Sequence, residues 1–232
     1  MRRLLLSLSA TALVTAFIAP GTTYAQQSVN LWIGGFAPRG EDARTNDDVL
    51  VNNLDFLSFD IKDFNGVTVG GEWLVALGDR FDAGLGLGLY SKTVTSVYAD
   101  FVNANGLEIE QDLKLRIVPF TATVRFLPLG HNGPIQPYIG VGVGAFRWRY
   151  SETGEFVDFN DDSVFRDSFV GSGSAAGPVV LGGARFPIGG AAVGGEIRYQ
   201  SAEGNLPSDQ GFSGTTIDLG GFSYLLTFNI RF

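Results

Sequence analysis

The sequence predicts an all-β fold: an eight-stranded antiparallel up-and-down transmembrane β-barrel with short periplasmic turns and long external loops. Three observations carry that expectation. The terminal segment alternates strictly, with Phe222, Tyr224, Leu226, Phe228, Ile230 and Phe232 on one face. Ser223, Thr227, Asn229 and Arg231 lie on the other, interrupted only by Leu225. A period of two is an extended strand with unlike faces, and a final strand this apolar suits a barrel that closes on its first strand and faces lipid. Short and long connections also alternate along the chain. Finally, no apolar run beyond the N-terminus approaches the roughly 20 residues a spanning helix needs, so any crossing must use strands.

Residues 1–25 read as a cleaved signal peptide. Arg2-Arg3 precede an apolar run from Leu4 to about Ala19, and Thr23-Tyr24-Ala25 places small residues at −3 and −1. The chain has no cysteine for a lipid anchor or a disulfide. Residues 26–232 form one barrel domain. The net charge is −8, and −10 once Arg2 and Arg3 are removed, which argues against nucleic acid as a partner.

Eight strands are expected in order. The first is Ser28 to Phe36, followed by a long polar stretch to about Asp63. The second is Val67 to Leu77, then a turn at Gly78-Asp79-Arg80 and the third strand, Phe81 to Tyr98. The fourth is Ile109 to Phe126, with a turn over Pro128 to Pro134. The fifth is Pro137 to Glu152, and a long acidic loop, Thr153 to Ala176, leads to the sixth, Pro178 to Ile188. Gly189-Gly190 turns into the seventh, Ala191 to Ala202, and a last loop leads to the eighth. Short turns after strands two, four and six and long loops between are the pattern of a membrane barrel.

Facing follows from alternation. In strand two Val67, Val69, Trp73, Val75 and Leu77 point out, with Thr68 and Glu72 inside. In strand three Phe81, Leu85, Leu87 and Leu89 point out, with Gly84, Gly86, Gly88 and Lys92 inside. Strand seven sends Val193, Ile197 and Tyr199 out, with Glu196, Arg198 and Gln200 in. Strand four changes parity, because Asp112, Lys114 and Arg116 are even-numbered while Thr121, Thr123 and Arg125 are odd. An extra residue at Val118-Pro119 would repair this, and a proline that cannot donate to the ladder suits a bulge. Strand five and the surroundings of Trp32 stay ambiguous. A soluble barrel with its apolar face inward also alternates. Aromatic strand ends at Trp73, Phe81, Phe126, Tyr138, Phe186, Tyr224 and Phe232 favour the membrane sense.

Inside such a barrel Glu72, Arg125, Arg185, Glu196, Arg198 and Arg231 would meet, with Arg147 a further candidate. Unpaired buried charge costs several kcal/mol, so these groups should form a lumen ion-pair network. That predicts a closed, rigid core; the alternative is a narrow path for small solutes, with an arginine excess favouring anions. No catalytic, cofactor or metal site is expected. The only histidine, His131, lies in a turn and reads as a solvated residue, and one histidine without cysteine leaves only carboxylates as ligands. Gly140-Val-Gly-Val-Gly144 lies within a strand and is no nucleotide loop. The external loops carry Glu41, Asp42, Asp47, Asp48, Glu152, Glu155, Asp158, Asp161, Asp162, Glu203 and Asp209, read as solvated charge. Leu54, Phe56, Leu57, Phe59 and Ile61 either extend strand two or cover the barrel mouth.

Taken together, residues 26–232 resemble the small eight-stranded outer-membrane β-barrel superfamily of OmpA-type transmembrane domains, OmpX-like and OmpW-like proteins. The resemblance rests on the signal peptide, the strand plan, the segment Pro137 to Gly144 and the final strand ending in Phe232. It implies a bacterial outer-membrane location, a non-enzymatic structural or surface-interaction role, and outer-membrane lipid and lipopolysaccharide as partners. It further implies that the barrel-assembly machinery reads Tyr224, Leu226, Phe228, Ile230 and Phe232 as an assembly signal. A small solute or surface ligand and a lipid-modifying enzyme are the remaining readings. No peptidoglycan-binding domain is expected after the barrel.

Overall fold

A computed structural model describes residues 26–232, and the expected signal peptide over 1–25 lies outside the described residues. Eight long strands form the wall: β1 Gln27–Pro38, β2 Gly66–Ala76, β3 Phe81–Val102, β4 Glu108–Phe126, β5 Gln136–Asp158, β6 Ser163–Ile188, β7 Ala191–Gln200 and β8 Gly221–Arg231. Each pairs antiparallel with its sequence neighbours, and β8 pairs with β1 from Ser28–Arg231 to Pro38–Gly221, so the ring is closed. Closure leaves no edge strand to expose backbone donors.

The register fixes the shape. Paired residues lead from Ala76 through Asp82, Arg125, Gly140, Leu181, Arg198, Ser223 and Phe36 to Gly66. One circuit therefore returns to β2 ten residues from its start. Eight strands with that stagger tilt about 40° from the axis around a backbone cylinder of roughly 8 Å radius. Such a bore is filled by side chains.

Leu31, Ile33, Val69, Trp73, Leu85, Leu87, Phe120, Val124, Ile139, Val141, Val143, Val180, Ile197 and Leu226 all stand exposed on the outside. Rising about 2.5 Å along the axis per residue, this belt runs from Phe81, Phe126 and Phe186 at the short-turn end to Val67, Leu89 and Phe222. Its height is about 25 Å, that of the hydrocarbon-facing band of a membrane barrel. Inside, Thr68, Glu72, Thr123, Arg125, Glu196 and Arg198 are buried. Polar within and apolar without is the membrane sense of the alternation, not the soluble one. The five terminal-strand residues Tyr224, Leu226, Phe228, Ile230 and Phe232 are among the exposed positions.

Strand β4 corrects the sequence reading. Its pairing with β5 runs from Gln111–Gly154 to Phe126–Ile139 with no slip, so Val118 and Pro119 hold no bulge. Asp112, Lys114 and Arg116 point outward, in phase with Phe120 and Val124, while Leu113, Leu115 and Ile117 are buried inside. Above the belt the wall meets water and the polarity of its two faces inverts. That inversion imitates an inserted residue. Strand β5 resolves the same way: Ile139, Val141 and Val143 face lipid, and Arg147 and Arg149 face out above them. Tyr138 points inward and so does not belong to the interfacial aromatics. Most of the expected acidic loop, Thr153 to Ala176, is instead the paired upper part of β5 and β6.

Candidate functional site in the barrel lumen

The lower lumen holds a neutral cluster of two arginines and two glutamates. Arg125 from β4 lies between Glu72 of β2 and Glu196 of β7, bonded to both, the second at 2.8 Å. Arg198 donates to Glu196 Oε1 from Nε (3.0 Å) and Nη2 (2.7 Å), and Thr123 donates to Glu72 at 2.9 Å. The Tyr138 hydroxyl donates to Glu196 at 3.0 Å, and its ring lies 4.9 Å beneath the Arg125 guanidinium. Trp32, ambiguous from sequence, points inward and stacks 4.7 Å from the Arg198 guanidinium. Room comes from glycine: a Cβ on Gly84 would lie 2.5 Å from Glu72 Oε1, and one on Gly70 2.4 Å from the Trp32 ring.

A second layer closes the short-turn end. Arg185 donates to Asp82 at 2.7 Å, and His131 reaches the other Asp82 oxygen, also at 2.7 Å. His131 is therefore not the solvated turn residue its position suggested. Nδ1 faces the Asp79 carbonyl at 2.8 Å while Nε2 faces Asp82, two acceptors that only the protonated ring can satisfy together. The Asp82 hydrogen bond raises its pKa above the ordinary value, against the opposing effect of burial. Arg231 donates to the Gln136 amide oxygen at 2.6 Å and, among the described residues, has no carboxylate partner. Of the six expected network members, Glu72, Arg125, Glu196 and Arg198 come together. Arg185 pairs separately, Arg231 joins neither acid, and Arg147 lies outside.

The upper lumen is apolar. Phe36, Tyr90, Leu113, Leu115, Ile117, Phe146, Trp148 and Tyr150 from the wall surround Val49, Leu50, Leu57, Phe64, Ile217 and Leu219 from the first and last external loops. The short helix α1, Val49–Asn53, anchors this plug. Its N-cap Asp48 accepts from Leu50 N at 2.9 Å, from Arg44 at 3.0 Å and from Asp218 N at 2.6 Å. Asn53 and Tyr150 donate to buried Glu152 at 2.6 and 2.8 Å; burial still raises that carboxyl's pKa. Of the apolar loop residues, Leu57 and Ile61 are buried and Phe56 and Phe59 pack against the plug. The loop covers the mouth. Between plug and ion pairs remains a cavity of about 20 Å³ lined by Trp32, Tyr90, Thr121 and Arg198, room for about one water.

The expected list omitted Asp82, Tyr138, Trp32 and Asp48. The first two were within reach, since Asp82 is in phase with Gly84 and Gly86, and Tyr138 with Gly140 and Gly142. Asp48 and Glu152, read as loop charge, belong to the plug; among the described residues no three acids or histidines gather as a metal site.

No protein-family model matches the chain, and no curated protein matches it. Among solved structures it is similar to Neisserial surface protein A at 12% identity and a TM-score of 0.48, over 89% of this chain and 97% of that one. It is similar to the attachment invasion locus protein Ail of Yersinia pestis, solved with the heparin analogue sucrose octasulfate, at 11% identity and a TM-score of 0.42; 90% of this chain and 99% of that one are covered. The outer membrane protein AlkL, solved in DMPC lipid bilayers, aligns at 12% identity and a TM-score of 0.38 over 92% and 93% of the two chains.

Proposed function

We propose that the chain is an exported outer-membrane barrel with a closed lumen, serving a structural or surface-interaction role without enzymatic chemistry. The observation that carries this reading is the stacking of two seals in one bore. The Glu72–Arg125–Glu196–Arg198 cluster crosses the lower half, and the plug around Leu50, Phe64 and Ile217 fills the mouth. An ion moving through would have to break buried pairs and then cross an apolar layer, each costing several kcal/mol. Enzymatic use of His131 finds no support, because both ring nitrogens are engaged within the protein, one with the Asp79 carbonyl and one with Asp82.

Planar-bilayer recording of the refolded chain tests the proposal. No steady openings are expected from the unaltered protein. Reproducible unitary currents changed by Glu72→Gln or Arg198→Gln would instead make it a narrow channel.

A further inference from the structure

Four cations stand together on the outside of the wall: Lys114 and Arg116 on β4, Arg147 and Arg149 on β5. Arg116 is directly opposite Arg149 in the ladder, Val118 opposite Arg147, and Ser151 opposite Lys114. Directly opposed like charges are destabilising unless something lies between them. None of the four makes an ion pair with any described residue. The flanking outward positions are Ser91 and Thr93 on β3 and Ser172 and Ser174 on β6. Asp112, the nearest acid on this face along β4, accepts from Thr95 at 2.6 Å. In a chain of net charge −8, this patch is a local reversal.

Its height is informative. By the barrel's tilt, Arg147, Arg116, Arg149 and Lys114 sit in the first ~10 Å above the apolar belt at the long-loop end. Leu89, Ser91, Lys114, Arg116, Arg149 and Ser151 line a groove of about 490 Å³ there. Leu89, Val118 and Val143 lie at or below its base on the same face. Cationic above and oily below is the profile of a phosphorylated lipid standing upright in the outer leaflet.

We propose that this groove binds the phosphates of an outer-leaflet glycolipid headgroup, with its acyl chains along Leu89, Val118 and Val143. The site rests on the membrane reading above. Guanidinium groups match phosphate oxygens bidentately, and the bound anion removes the Arg116–Arg149 repulsion.

The test titrates fluorescent lipid A carrying both phosphates into the full chain refolded in detergent, read by anisotropy. Lipid A stripped of phosphate and inorganic pyrophosphate are the comparison probes. Arg116→Gln/Arg149→Gln is expected to weaken binding of the phosphorylated lipid about 30-fold and to leave the stripped lipid unaffected. Arg80→Gln/Lys62→Gln removes the same charge elsewhere and should change little; equal loss there would mean bulk charge and overturn the site. Pyrophosphate binding as tightly as the lipid would overturn the lipid occupant. Lys114→Gln/Arg147→Gln repeats the test should the first variant fail to fold. A chain that stays out of phosphatidylcholine vesicles altogether would defeat the membrane reading itself, a result distinct from vesicle insertion without headgroup preference.

Discussion

Arg125 and Glu72 are both wholly shielded from solvent and are joined directly across the lumen, from β4 to β2. Neither strand neighbours the other in the ring. Their bond bridges over β3, and removing Glu72 leaves Arg125 and Arg198 to share the single buried carboxylate of Glu196. Glu72→Gln is expected to destabilise the folded barrel by about 3–5 kcal/mol. Urea unfolding in lipid vesicles, followed by tryptophan fluorescence, measures this; a loss under 1 kcal/mol would show that the pair is dispensable.

Leu226 sits near the middle of the apolar belt and is 71% exposed. On a soluble surface Leu226→Arg would fall within about 0.5 kcal/mol of neutral. In hydrocarbon it should cost about 2–4 kcal/mol. The same unfolding assay separates the two environments.

His131 gives the fold a pH dependence. Its pKa in the folded chain lies above the ordinary value of 6.5, first because of the Asp82 hydrogen bond. A raised folded pKa means stability fully present below about 6.5 and lost as pH climbs through the folded value. Unfolding midpoints should therefore fall between slightly acid and mildly alkaline pH, and His131→Ala should flatten that part of the profile. An unchanged slope in the variant would assign the titration to another group.

Asp48 holds four donors at the head of the plug: Leu50 N, Val51 N, Arg44 and Asp218 N. Asp48→Ala removes the helix cap, worth about 1 kcal/mol, and strands buried Arg44. Faster hydrogen exchange is expected at Leu50 and Val51, confined to the external loops, while amides of β7 and β8 keep their protection. Uniform loss throughout would mean that the plug and wall unfold as one unit.

Much of this fold is legible in the sequence because lipid imposes a single rule over the belt. Val67, Val69 and Trp73 against Glu72, or Val193 and Ile197 against Glu196 and Arg198, read directly as outside and inside. The rule fails where the solvent changes. Lys114 and Arg116 were expected inside because they are charged, yet above the belt charge belongs outside and Leu113, Leu115 and Ile117 belong within. The upper part of β6, Ser163 to Ser168, is exposed on both faces and held by β5, so alternation gives no sign of it. Trp32, flanked by Leu31 and Ile33, cannot be oriented without knowing that Arg198 waits beneath it. The lumen cluster was legible as composition, but its partners Asp82 and Tyr138 required the register.

The reversal of facing around Pro119 and Ala145 gives the molecule a waterline. Below it the cylinder is written for oil, above it for brine, and both texts share the same continuous strands. Sinking the chain by two residues would drown Arg147 in hydrocarbon, while lifting it by two would strand Leu89 and Val67 in water. Immersion depth is thus encoded in the wall, independent of whatever the loops hold.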